Sequence, residues 1–114
     1  MFSFISMKKA VTTADLAKKL TTGITLLDVR TPAEYRAGHI KQAKNTPLSS
    51  IDTYTGNRKE VYLICRSGAR SAQAYRILQQ KGYQPINVRG GMNQWRGAVG
   101  NVKSSMKTVV QKVV

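Results

Sequence analysis

The stretch Val61-Tyr62-Leu63-Ile64-Cys65-Arg66-Ser67-Gly68-Ala69-Arg70-Ser71 decides how this chain is read. Four apolar or aromatic residues run into the only cysteine of the protein, and six small or cationic residues follow it. A short apolar run of this kind is the pattern of a buried parallel strand. From Ser71 to Lys81 the period becomes helical, with Ala74, Ile77, Leu78 and Lys81 on one stripe and Gly82 as a stop. Cys65 therefore falls in a tight strand-to-helix turn. Backbone N–H groups at a helix start point into such a turn, and the helix dipole favours an anion there. Arg66 and Arg70 add full positive charges. A thiol in that field ionises more readily than a free one, and the thiolate is the reactive form.

Most lone cysteines are inert core thiols. The neighbours of Cys65 argue otherwise, because a packing position does not call for two arginines, a glycine and two serines in the next six residues. Apolar residues would stand there instead. Cys65 reads as a reactive cysteine.

Working outward, Thr12 or Thr13 caps a helix through Leu20, with Asp15 in its first turn and Gly23 after it. Ile24 to Val29 reads as a buried strand that ends on Asp28 and Arg30. Ligand sites in open parallel sheets lie at the carboxyl ends of strands, which makes this acid–base pair a supporting candidate. The alternative for Asp28, a structural anchor for a neighbouring loop, is the favoured one. Thr31, Pro32 and Glu34 form a helix start with a capping box, and Gly38 ends that helix. His39 reads as a local hydrogen-bonding residue rather than a general base. Ala43 to Asn45 predicts a short strand, Leu48 to Tyr54 a single helical turn or loop, and Pro85 to Val88 another strand. Arg89-Gly90-Gly91 opens a last helical segment with Met92 and Trp95, the latter a packing residue. Strands alternating with helices imply an α/β fold with a central, mainly parallel sheet flanked by helices.

The 114 residues suit one compact domain, residues 11–100, with an N-terminal extension over 1–10 and a basic, amphipathic or disordered tail over 101–114. In that tail Val102, Met106, Val109, Val110 and Val113 fall at helical spacing, and packing or disorder is the reading preferred. A single cysteine excludes an intrachain disulfide, a protein-only thiolate metal cluster and an internal dithiol relay. No metal site is expected. Nineteen Lys and Arg against five Asp and Glu give a net charge of +14. Because the lysines are scattered rather than blocked, this charge is read as steering of anionic substrates before nucleic-acid binding. No segment reaches the apolar length of a membrane span, and Met1 to Met7 lacks the basic region of a signal peptide. The expected location is cytoplasmic.

Five pieces, taken in order, resemble a known family. They are Leu27-Asp28-Val29-Arg30; Glu34-Tyr35-x-x-Gly38-His39-Ile40; Ala43-x-Asn45-x-Pro47; Cys65 to Ser71; and Gly90-Gly91-Met92-x-x-Trp95. Together they are similar to single-domain rhodaneses over roughly Val11 to Arg96, although Leu48 to Lys59 is shorter than in many members. The resemblance implies a rhodanese-like α/β fold and Cys65 as the catalytic residue that carries a persulfide. It further implies an active-site loop, Cys65-Arg66-Ser67-Gly68-Ala69-Arg70 with Ser71 behind it, whose N–H groups face the sulfur. Arg66 and Arg70 would help hold an anionic donor such as thiosulfate. No cofactor is implied, and the acceptor would be cyanide or a thiol.

Two other readings use the same cysteine. A cysteine phosphatase or arsenate reductase also surrounds an anion with a Cys and an Arg, but resembles Cys-x5-Arg. Here four residues separate Cys65 from Arg70, and Ile64 precedes the cysteine. A persulfide carrier, docking a sulfur-relay or tRNA-modifying protein partner on its basic face, is the third.

Overall fold

In a computed structural model that describes residues 9–100, the chain forms one five-stranded sheet. The strands are β1 (Ala10–Val11), β2 (Leu26–Asp28), β3 (Ala43–Asn45), β4 (Glu60–Ile64) and β5 (Gln84–Val88). They lie in the order β1-β5-β4-β2-β3, every pair parallel. The helices are α1 (Thr13–Lys19), α2 (Pro32–Ala37), α3 (Ala69–Gln80) and α4 (Gly91–Gln94), with 3-10 turns at Leu20–Thr22 and Leu48–Thr53. This is the α/β architecture expected. The tail over 101–114 and most of the proposed extension lie outside the described residues. Ala10, placed in that extension, is already part of the edge strand β1.

β4 is the middle strand, and its side chains divide two cores by parity. Val61, Leu63 and, just beyond the strand, Cys65 pack with Leu27, Val29, Ile51 and the α3 residues Ala74, Tyr75 and Leu78. Tyr62 and Ile64 face the other way, onto Leu16 of α1 and Leu26, Ile40, Ile86 and Val88. A strand buried on both faces cannot slip by one residue without exchanging these two sets. Truncating a fully buried side chain such as Leu63 in such a core costs about 2–5 kcal/mol.

Several boundaries differ from expectation. α3 starts at Ala69, two residues before Ser71, which brings Arg70 into its first turn rather than the loop. Its buried face is Ser71, Ala74, Tyr75 and Leu78. Lys81, expected on that stripe, is the exposed C-cap, and its Nζ reaches back to the Asp52 carbonyl. A lysine at a helix end can extend away from the core toward an acceptor, so period alone misassigned it. Trp95 caps α4 instead of lying within it, and it packs against the α1 side of the sheet.

α4 is short but holds the end of β4 in place. Met92 N–H donates to the Cys65 carbonyl (2.8 Å) and Asn93 N–H to the Arg66 carbonyl (3.0 Å). Gly91 allows the approach: its φ is +54°, and a Cβ there would sit 2.3 Å from the Cys65 oxygen and 2.7 Å from that of Arg66. Backbone atoms cannot yield to such a contact. Gly91→Ala should therefore destabilise by at least about 2 kcal/mol. In a domain of this size that lowers the melting midpoint by roughly 10 °C, readable by calorimetry.

Candidate active site

The strand-to-helix turn after β4 is built around the Cys65 sulfur. Parity sends Cys65 toward α3, and the next three residues must convert an extended chain into a helix start. Gly68 makes the conversion as the α3 N-cap at φ +122°, a backbone conformation that residues with a Cβ rarely adopt. Its carbonyl accepts the first helical bond, from Ala72 N–H at 3.0 Å. Having no side chain, Gly68 cannot cap the exposed N–H groups of the first turn. The sulfur takes that position instead. Gly68 N–H donates to Cys65 Sγ at 2.9 Å, and the Ser71 hydroxyl lies 3.4 Å from it.

These contacts act on ionisation. Burial, the largest influence, disfavours the thiolate, since Cys65 is only 1% exposed. The Ser71 hydroxyl and the backbone N–H groups of Ser71, Gly68 and Ser67 outweigh it, and hold the thiol below its ordinary value.

The two loop arginines are placed differently. Arg70 forks onto Glu34, Nη1 to Oε1 at 2.5 Å and Nη2 to Oε2 at 2.9 Å. Arg66 projects outward, its side chain 68% exposed and its Nε 4.0 Å from the same carboxylate. Arg70 thus has its charge answered within the protein, while Arg66 faces solvent. Glu34 was legible only as the partner of Thr31, and that capping box is present: Glu34 N–H donates to Thr31 Oγ1 and Thr31 N–H to Glu34 Oε1. One carboxylate therefore caps α2 and anchors α3. The hydrogen bonds from Arg70, opposed by burial and helped by Thr31, hold its pKa down to about 2.

Asp28 and Arg30 are brought together, one strand away. Arg30 donates through Nε (2.9 Å) and Nη2 (2.7 Å) to the fully buried Asp28 carboxylate, and through Nη2 to the Gly38 carbonyl (2.8 Å). Asn45 Nδ2 donates to the carbonyls of both Asp28 and Arg30 at 3.0 Å. The network ties β2, β3 and the end of α2. His39 stacks on Tyr35 (3.7 Å between centroids), and its Nδ1 lies 2.7 Å from the Tyr35 carbonyl oxygen. It has the local role expected. Sequence reasoning missed Asn87, whose Oδ1 lies 2.6 Å from Ser71 Oγ. The available signal was a polar residue set between the apolar Ile86 and Val88. No group of three His, Cys, Asp or Glu suited to a metal occurs among the described residues, and no helix there is long and apolar enough to cross a membrane.

A parallel α/β sheet whose central strand delivers a cysteine with a lowered pKa to the start of a helix defines a class of cysteine proteins. Residues 12–98 match the rhodanese-like domain family, and the chain belongs to it. It is 37% identical over 95 residues to a sulfurtransferase of Allochromatium vinosum, covering 78% of this chain and 89% of that one. It is 38% identical over 78 residues to an uncharacterized protein of Bacillus subtilis, but that match covers 65% of this chain and only 62% of the relative. Among solved structures, a rhodanese-like domain protein of Staphylococcus aureus superposes with a TM-score of 0.72 at 33% identity, over 82% of this chain and 97% of the other. The protein is a member of a sulfurtransferase family with a rhodanese-like fold.

The Glu34–Arg70 pair gives a pH-dependent prediction. A carboxyl whose folded pKa is lowered stabilises the fold fully above its unfolded value, and that contribution disappears as pH falls through the folded value. Glu34→Gln keeps a side chain able to cap Thr31 but removes the charge. At neutral pH it should cost about 0.5–1 kcal/mol. The difference from wild type should shrink as pH falls from about 4.5 towards about 2. Thermal unfolding across that range measures it, and a gap independent of pH would refute the assignment.

Proposed function

We propose that this protein transfers a sulfane sulfur through a persulfide on Cys65. The observation that carries the reading is the cradle itself: a cysteine sulfur at the uncapped start of α3, with Gly68 N–H 2.9 Å away and its pKa lowered. In the first step the Cys65 thiolate attacks the outer sulfur of thiosulfate. The S–S bond of the donor breaks, and sulfite leaves with its electron pair. Cys65 keeps the sulfur as a persulfide anion, and total charge is unchanged. In the second step cyanide or a thiolate attacks the terminal sulfur, takes it, and regenerates the Cys65 thiolate. The N–H groups of Ser67, Gly68 and Ser71 favour negative charge on the sulfur in both states. No metal or organic cofactor enters this cycle.

Arg66 is the cation best placed to meet an incoming anionic donor, because Arg70 is engaged by Glu34. A ring closed by four residues between Cys65 and Arg70 is one residue shorter than that of the cysteine phosphatases named above. That favours a sulfur over a tetrahedral phosphate. The exposed Arg89 at the carboxyl end of β5 adds to a cationic rim to which an acidic sulfur-carrying partner could dock.

Incubation with thiosulfate should add the mass of one sulfur to the intact protein, and cyanide should then remove it with release of thiocyanate. Cys65→Ser should abolish both, with ping-pong kinetics in the wild type. Unchanged mass with thiosulfate and with a low-molecular-weight persulfide would sink the reading. Arg66→Ala should raise KM for thiosulfate several-fold at low ionic strength, with little effect on kcat, as loss of an exposed charge implies.

A further inference from the structure

The Ser71 hydroxyl carries one proton and has three neighbours that compete for it. Cys65 Sγ lies at 3.4 Å, the Gly68 carbonyl at 3.0 Å and Asn87 Oδ1 at 2.6 Å. The shortest contact is therefore to a residue outside the loop. Asn87 comes from β5, where it pairs in register with Leu63 of β4. Paired residues of a parallel sheet point to the same face, so Asn87 lies on the side of Leu63, Cys65 and α3. Its strand neighbours Ile86 and Val88 pack into the opposite core. While its backbone belongs to the sheet ladder, its side chain is polar, half-buried and directed at Ser71.

We propose that Asn87 is a positioning residue for Cys65: its carboxamide sets the direction of the Ser71 proton and so the charge state of the sulfur that Ser71 supports. A carboxamide offers an acceptor at one end and donors at the other. With Cys65 as a thiol, S–H donates to Ser71 Oγ and Ser71 O–H donates to Asn87 Oδ1, the arrangement the distances describe. When the thiol loses its proton to solvent, Ser71 must turn its own proton to the sulfur. Asn87 then supports that state by rotating its amide so that Nδ2–H donates to Ser71 Oγ. The same orientation serves the persulfide anion. No proton passes between residues; only two rotors turn. Linked hydrogen bonds around buried groups such as Cys65 and Ser71 polarise one another, which is why a group two contacts from the sulfur can influence it.

The proposal rests on Cys65 being the functional thiol, but its test needs no sulfur donor and so can fail separately from the reading of function. Thiolate content is followed by ultraviolet absorbance as a function of pH, each variant being corrected by its own Cys65→Ser counterpart. Asn87→Asp offers acceptors only and should hold the Ser71 proton away from the sulfur. Thiolate at neutral pH should fall about tenfold. Part of that loss is through-space charge, which also acts when the hydroxyl is absent. In a Ser71→Ala background the same substitution should therefore change it no more than about threefold. Asn87→Ser, uncharged and too short to reach Ser71, should shift the profile with Ser71 present and leave Ser71→Ala unmoved; it decides the matter should the aspartate variant fail to fold. Equal shifts in both backgrounds, or none in either, would overturn the proposal.

Discussion

A central strand buried on both faces leaves its side chains no choice of side, and the site follows from that constraint. Because Val61 and Leu63 belong to the α3 core and Tyr62 and Ile64 to the α1 core, the next residue in parity, Cys65, must enter the space at the start of α3. The hydrophobic effect that fixes the register thus also aims the cysteine. The helix completes the arrangement by offering unpaired N–H groups where the sulfur arrives. A polar capping side chain at Gly68 would compete with the sulfur for the Ser71 N–H, so the residue that leaves it free is as much part of the site as the cysteine.

Polar interactions then orient what the cores place. Of the five carboxylates in a chain of net charge +14, two are spent near the cysteine on inward pairs: Asp28 on Arg30 and Glu34 on Arg70. The first joins the carboxyl ends of β2 and β3 to the end of α2; the second joins the start of α2 to the first turn of α3. α2 is therefore held at both ends, and its capping glutamate is delivered to Arg70 at a fixed place. Such pairs contribute modestly to stability where exposed and more to geometry where buried.

The parts of this molecule with a strong local signal were legible in the sequence. The apolar run of β4, the capping box at Thr31 and Glu34, and the alternation of strands and helices gave the α/β fold and the turn that bears Cys65. Cys65, Ser67, Gly68 and Ser71 are close in sequence and close in space. What could not be read were contacts between segments far apart in the chain: Glu34 with Arg70, 36 residues away, and Asn87 with Ser71, 16 residues away. Charge type suggests that an arginine wants an acid, but in a chain with nineteen cations it does not say which cation is paired. Arg66 and Arg70 look alike on the line of sequence; the folded chain turns one inward and leaves the other to solvent.

The grip of α4 on the loop bears on how the cradle could change size. Met92 and Asn93 hold the carbonyls of Cys65 and Arg66, and the contact is so close that a Cβ on Gly91 would strike both. An inserted residue cannot be absorbed in that half of the ring without parting two segments that are distant in sequence. What lies between Arg66 and the start of α3 is Ser67 and Gly68, and Gly68 already carries the positive-φ turn on which α3 begins. A descendant of this chain with a roomier ring, suited to a larger oxyanion, would have to grow there and re-seat its helix in the same event. Single substitutions elsewhere in the ring can change its charge, but not its circumference.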